Sequence, residues 1–326
     1  MSPLGLQAQD LHKTYRIGRG KPPVEALRGV TFAADSGTVF ALLGPNGAGK
    51  STTAKILSTL AKPDSGRASV AGIDVVEHPD LVRRTIGFVA QQPVSEPMDT
   101  GRENLVLSGR IHGMSGRDAR ARADELLTLF GLADAGDRLV KTYSGGMARK
   151  LDVALGIMHR PQVLFLDEPT TGLDPEARAQ MWAEIERLAG GEGMTILLTT
   201  HYLDEADRLA DRIAIVDGGR IVTEGSADEL KNQLRGDTVI VDIMGSAQQA
   251  AGLLTAAELL EVEVSGSTIR ARADRGGEVL PKLLAELDSR GVTVASATVA
   301  RPSLDDVYLR HTGRSLVAAG AEGGVQ

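Results

Sequence analysis

An α/β fold built around a parallel sheet, with polar groups gathered at one sheet edge, is predicted by three stretches of this sequence. The first runs from an apolar strand, Thr38 to Leu43, through a glycine-rich loop into a segment with apolar residues at helical spacing (Ala54, Ile56, Leu57 and Leu60). The second is Val163 to Leu166, a continuous apolar run of the kind buried in parallel sheets, which ends in the adjacent acids Asp167 and Glu168. The third, Met194 to Thr200, is apolar again and ends in His201. Ligands of open α/β sheets bind beyond the carboxyl ends of the strands, so the three endings point to one site.

The loop carries the chemistry. Gly44, Pro45, Asn46, Gly47, Ala48, Gly49, Lys50 and Ser51 fit the pattern G-x-x-x-x-G-K-[ST], and they have the strand before and the helix after that the pattern requires. Glycines admit backbone angles closed to other residues, so successive N–H groups can turn inward around a phosphate. The helix N-terminus adds unpaired donors and partial positive charge. Lys50 would reach the β- and γ-phosphates, and Ser51 would ligate Mg²⁺. A nucleoside triphosphate is the expected ligand. In such a protein Asp167 and Glu168 suit metal coordination and water activation, because adjacent buried carboxylates without a cation are costly unless paired.

Taken in order, Leu6–Tyr15 and Val24–Phe32 read as antiparallel strands separated by a turn over 18–23. Tyr15, at a strand end just upstream of the loop, places a flat ring where an adenine could stack. Residues 68–70 and 73–75 form a short hairpin around Ala71 and Gly72, and Arg84 to Ala90 is a strand running into Gln91. Thr100 and Ser115 are N-caps for helices over 101–112 and 116–130, with Gly131 as the stop. Leu126, Leu127 and Phe130 give the second helix an apolar face, and Arg117, Arg120, Arg122, Asp124 and Glu125 its solvated one. Ser144, followed by Gly145 and Gly146, caps a helix over 148–158. Arg212–Asp217 and Arg220–Thr223, joined by Gly218 and Gly219, make a hairpin that closes this domain near Leu234.

Beyond it the order is β-α-β-β-α-β: a strand over 238–244, a helix over 247–260, a hairpin of 262–264 with 268–273, a helix over 278–290 and a strand over 292–299. That order suggests a small ferredoxin-like domain. Leu304, Val307 and Tyr308 then fall at helical spacing in a closing segment, which caps the small domain or makes a dimer or regulatory contact.

Composition excludes several classes. The 326 residues include no cysteine, so there is no disulfide, thiolate metal site or thiol nucleophile. No window approaches the length of apolar residues that spans a bilayer, and the first residues lack the basic start and apolar stretch of a secretion signal. A net charge of −7 opposes nucleic-acid binding, whose affinity comes mainly from phosphate neutralisation.

Jointly, these residues in this order resemble the nucleotide-binding domain of ATP-binding-cassette (ABC) transporters over roughly 6–235. The resemblance implies a phosphate-loop NTPase fold with a RecA-like core, an antiparallel β subdomain and a helical subdomain at about 95–158. The ATP-binding domain would take residues 1–235, an accessory domain 236–313, and a disordered tail 314–326. It implies ATP and Mg²⁺ as ligands, with Tyr15 on the adenine and Gly44 to Ser51, followed by Thr52, around the phosphates. Ser51, Gln91 and Asp167 would serve the metal, Glu168 would be the general base, and His201 would hold the γ-phosphate. Ser144, Gly145 and Gly146 match the family signature, and Asp174, with Gly172 and Leu173, the loop that crosses between subunits. The usual signature is Leu-Ser-Gly-Gly-Gln; here Tyr143 and Met147 flank an intact Ser-Gly-Gly.

The resemblance further implies a head-to-tail dimer, by default of identical chains, closing around two ATP molecules. Hydrolysis would drive a separately encoded integral-membrane permease from the cytoplasmic face of the membrane. The flanked signature, the segment Thr100 to Leu105 and the closing helix are similar to the daunorubicin-resistance-type branch, which implies export of a drug, antibiotic, natural product or lipid. An importer cassette, a soluble cassette protein acting on ribosomes or DNA, and a non-hydrolysing regulatory cassette are the alternatives.

Overall fold

The structure, a computed structural model, describes residues 4–16, 22–234, 236–245 and 259–316. It divides into two compact units, the first running to Ala227 and including Leu316, the second covering Asp228–Ser315.

The first unit holds two sheets. In the antiparallel one, β1 (Leu4–Tyr15) pairs with β2 (Val24–Asp35) and with β4 (Ser65–Val70), and β4 turns back into β5 (Ile73–Asp74). The second sheet has β3 (Val39–Leu43) near its middle and the order β10-β9-β3-β8-β7-β6. Here β6 is Ile86–Val89, β7 Val163–Asp167, β8 Thr195–Thr200, β9 Arg212–Asp217 and β10 Arg220–Gly225. All neighbours from β6 to β9 run parallel, and β10 alone returns antiparallel on β9. Every residue of β3, β7 and β8 is buried, which explains runs without alternation: a sheet covered on both faces has no solvent side to pattern. Among these, Phe40, Leu42, Phe165 and Leu197 share one core with Leu11 and Leu27 of the antiparallel sheet and Ile56 of α1 (Lys50–Leu57).

Helices α3 (Gly101–Ile111), α4 (Gly116–Leu129) and α5 (Gly145–Gly156) start where their caps dictate. Thr100 Oγ1 accepts from the Glu103 amide at 3.1 Å while Glu103 reaches back to the Thr100 amide at 2.8 Å, a reciprocal capping box. Ser115 and Ser144 accept from the amides of Asp118 and Met147.

Several expectations need correction. Helix α1 stops at Leu57, and Leu60 lies beyond it, 62% exposed, after Thr59 takes a left-handed φ of 65°. Arg84 and Thr85 belong to a helix, α2 (Pro79–Thr85), whose first turn tolerates Pro79 because that N–H would have no partner anyway. Two further helices join the expected set: α6 (Pro175–Glu192) and α7 (Leu203–Leu209). Arg122 is buried, not solvated; it donates to Glu125 at 2.6 Å and to the Ile157 carbonyl at 3.2 Å, closing the end of α5.

The second unit begins with α8 (Ala227–Asn232, from Asp228 onward) and contains one antiparallel sheet in the order β12-β13-β11-β14. These strands are β11 (Asp237–Ile243), β12 (Leu260–Ser265), β13 (Thr268–Ala273) and β14 (Val294–Ala300). With the first and last strands adjacent, this is the ferredoxin-like order. Helix α9 (Gly276–Ser289) lays Val279, Leu283 and Leu287 on Val239, Val241 and Ile269. The helix expected over 247–260 falls outside the described residues except at its end, where Leu260 is already in a strand. Helix α10 (Leu304–Thr312) buries Leu304, Val307 and Tyr308, and its Asp306 pairs with Arg270 at 3.6 Å. Of the tail expected over 314–326, Ser315 donates to Asp305 at 3.0 Å and Leu316 is only 3% exposed, and residues 317–326 lie outside the described residues.

Candidate functional site

The glycine-rich loop joins β3 to α1 in a conformation that its sequence alone permits. Gly49 has φ of +109°, and a Cβ there would stand 2.7 Å from the Ala26 carbonyl oxygen, so neither the angle nor the space admits another residue. Lys50 follows at the first helical position and is 3% exposed. Its Nζ donates to the carbonyls of Gly44 at 2.7 Å and Pro45 at 3.0 Å and lies 3.4 Å from Glu168 Oε1. Burial pulls the Lys50 ammonium below the usual lysine range, and the Glu168 and Asp167 carboxylates oppose that fall only in part.

Strands β7 and β8 bring the acids to the loop. Asp167 accepts from Ser51 Oγ at 2.9 Å and from Thr199 Oγ1 at 2.6 Å, which ties the start of α1 to two strand ends. Glu168 has φ of +49°, a left-handed backbone that costs a non-glycine residue about 1–3 kcal/mol. Bonds from its amide to the Thr199 carbonyl and hydroxyl, both at 3.1 Å, hold it there. Its carboxylate accepts from Gln91 Nε2 at 3.2 Å and Thr171 Oγ1 at 3.3 Å. His201 Nδ1 stands 3.4 Å from Oε2, close enough for an ion pair yet not aligned as a hydrogen bond. Burial pushes the Glu168 carboxyl up, but the His201 ring and the Lys50 ammonium outweigh it and hold the group below the usual glutamate range. An ionised carboxylate beside the Lys50 ammonium can polarise a water.

Glu168, Lys50, Ser51, Thr52, Gln91, Asn46, Gly47 and Gly49 line a cleft of about 410 Å³, together with Val24 and Ala26 of β2. Tyr15 stands opposite Val24 in the β1–β2 pairing, one residue off the wall, with Lys13 Nζ 5.5 Å from its ring centre. The signature residues are elsewhere. Ser144 and Gly146 line a second cleft of about 350 Å³ with Asp174, which caps α6 by accepting from the Ala177 amide at 2.8 Å. The two clefts share no lining residue.

Three residues absent from the sequence reading also shape the site. Thr199 holds both Asp167 and Glu168 but looks like one more position of an apolar strand. Arg149, 7% exposed, sends its guanidinium to backbone carbonyls at the strand ends. Glu205, on α7 and fully buried, accepts from Thr170 Oγ1 at 2.7 Å and from the indole of Trp182 on α6 at 3.0 Å. A buried charge inside an apolar helix face is the one sequence signal that could have flagged the last two.

Residues 27–171 match the family model of the ABC transporter, and residues 225–312 that of the ATP-binding protein DrrA1-3-like C-terminal domain. The chain is 46% identical over 290 residues to the daunorubicin resistance ATP-binding protein DrrA3 of Streptomyces coeruleorubidus, covering 89% of this chain and 92% of that one. It is 47% identical over 292 residues to the daunorubicin/doxorubicin resistance ATP-binding protein DrrA of Streptomyces peucetius, covering 88% of each. Among solved structures, an ATP-binding cassette in a dimeric post-hydrolysis state with ADP and Pi superposes with a TM-score of 0.62 at 27% identity, covering 68% of this chain and 98% of that one. No helix among the described residues is long and apolar enough to cross a membrane. With the loop, the acids, the histidine and the signature placed as described, the chain belongs to the ABC transporter family, as an ATP-binding protein with a DrrA-like C-terminal domain.

Proposed function

We propose that this protein is the ATP-hydrolysing subunit of an exporter, working on the inner face of the cell membrane through a separately encoded permease that carries a drug, antibiotic, natural product or lipid. The observation that carries hydrolysis is Glu168, ionised at the mouth of the phosphate-loop cleft with Lys50, Gln91 and His201 around its carboxylate. Glu168 acts as general base on the attacking water, Lys50 takes the β- and γ-phosphates, and His201 holds the γ-phosphate. Tyr15 stacks on adenine from beside Val24. The loop from Gly44 to Thr52 surrounds the phosphates. Export is favoured because both relatives described above are named for daunorubicin resistance.

Ser51, Gln91 and Asp167 offer Mg²⁺ hydroxyl, amide and carboxylate oxygens, the hard donors it prefers. When bound, Mg²⁺ would supply charge neutralisation across the phosphates.

The separate signature cleft supports action in trans. Ser144, Gly145, Gly146 and Asp174 serve the nucleotide of a second cassette, by default an identical chain, and each chain needs the other to complete its site. Residues 1–235 are taken as the ATP-binding domain, with 95–158 its helical part, and 236–313 as an accessory domain.

Glu168→Gln keeps the shape and removes the base. Turnover should fall about a hundredfold or more, while gel filtration with ATP should reveal a trapped dimer. Turnover at the parent rate would show that the base lies elsewhere. Exporter coupling is tested by affinity capture in gentle detergent from the protein's own cells. A stoichiometric multi-span membrane protein is expected, and ribosomes in its place would sink the transport reading.

A further inference from the structure

Helix α5 presents two ends of different purpose. Its N-terminus carries Ser144 and Gly145, both exposed. One turn later Arg149 points the other way, into the molecule. Its Nε donates to the Pro169 carbonyl at 2.7 Å, Nη1 to that of Ala90 at 2.6 Å, and Nη2 to that of Asp167 at 3.4 Å. All three acceptors are backbone, so the contact reads the position of the chain and no side chain there. Ala90 directly precedes Gln91, and Asp167 and Pro169 directly flank Glu168. One planar guanidinium therefore fixes the base and the metal-site glutamine at once, relative to the helix that bears the signature.

The same helix grips the glutamine segment a second time. Asp152 Oδ1, one turn after Arg149, accepts from the amides of Val94 and Ser95 at 3.2 and 3.1 Å. Residues 90–95 are thus bracketed from α5 at both ends. Glu168, with its left-handed backbone, has reason to relax, and a conformation of that kind persists only when its surroundings over-determine it. The bonds from Arg149 to the carbonyls on either side, with those from Glu168 to Thr199, supply that constraint. Stability alone gives poor cause for an arginine here, because its nearest carboxylate, Asp152, is 3.9 Å away and an apolar residue would avoid the burial cost. A guanidinium does what no other side chain can, since it spans several acceptors from one rigid fork.

We propose that Arg149 is a positioning residue that makes the stance of Glu168 and Gln91 depend on the stance of the signature helix. The inference rests on the reading above, in which the signature serves the partner's nucleotide. A shift of α5 on engaging that nucleotide moves Arg149 with it, and so reaches this chain's own base. Each site then senses whether the other is filled, and ATP turnover is cooperative in ATP because of Arg149.

The test uses the full-length chain with Mg²⁺ and ATP, in the parent, Arg149→Gln and Arg149→Lys. Equilibrium binding of ATP checks that the loop is intact in each variant, and turnover is followed against ATP concentration. A cooperative parent is expected, with kcat falling about a hundredfold in Arg149→Gln and its Hill coefficient dropping to one. Lysine, a single point donor, should restore part of kcat and little of the cooperativity. A variant that binds ATP and loses rate with cooperativity unchanged would reduce Arg149 to scaffold and overturn the proposal. So would a parent that turns over ATP without cooperativity. A parent that binds ATP but never hydrolyses it would overturn the proposed function as well, which separates the two failures.

Discussion

Glu205 lies behind the catalytic edge with no solvent contact, holding Thr170 and Trp182. Burial pushes its carboxyl above the usual glutamate range, against the hydrogen bonds from Thr200, Thr170 and Trp182 that favour the ionised form. The folded protein therefore binds this proton more tightly than the unfolded chain does. The resulting stability is whole below the unfolded glutamate value and is lost as pH rises through the folded one. Glu205→Gln keeps an acceptor and cannot ionise, so denaturant titrations above about pH 4 should show a flatter profile than the parent's. Residues of this kind explain what the sequence could not disclose. Lys50 and Ser51 are legible because they stand in a local pattern, strand then loop then helix, and Glu168 because it follows a wholly apolar strand beside Asp167. Thr199 and Arg149 reach the site through neighbours 18 to 59 positions away and Glu205 holds Thr170 from 35 positions away, so nothing beside them in the chain reveals the role.

Helix α5 touches β6 with backbone on backbone. A Cβ added at Gly87 would run into the carbonyl oxygen of Gly156, and one at Gly156 would stand 2.9 Å from a Val89 methyl. Gly87→Ala is expected to lower stability by about 1–3 kcal/mol, read as a lower denaturant midpoint with unchanged slope. Because α5 carries Arg149, the same variant should also slow ATP turnover. Strands and capped helices were readable from the sequence, since burial on both faces leaves β3, β7 and β8 uniformly apolar and Thr100, Ser115 and Ser144 mark their helix starts. Helix α6 was not, because among its described residues only Met181, Ile185 and Leu188 are buried, and Gly190 and Gly191 lie in its last turn. Leu60 misled for the opposite reason: it keeps the helical spacing past the point where Thr59 has turned the chain.

Each of the two units encloses its own hydrophobic core, one around Phe40 and Phe165, the other around Val239 and Leu283. Calorimetry should therefore resolve two unfolding transitions. With the nucleotide assigned to the phosphate-loop cleft of the first unit, ATP should raise that transition, by about 2.7 kcal/mol at about 100 times the dissociation constant. An equal rise in both would contradict the assignment of the nucleotide to the phosphate-loop cleft. The sequence contains one tryptophan, and it is the Trp182 whose indole donates to Glu205 behind the strand that ends in His201. The molecule thus has a single indole, excitable apart from its four tyrosines, seated where α6 meets α7 with the Arg208 guanidinium 5.3 Å from its ring. Its emission wavelength and lifetime report that junction with no competing emitter of its kind, so stopped-flow mixing with nucleotide can time movement of α7, which follows His201, optically and without a label.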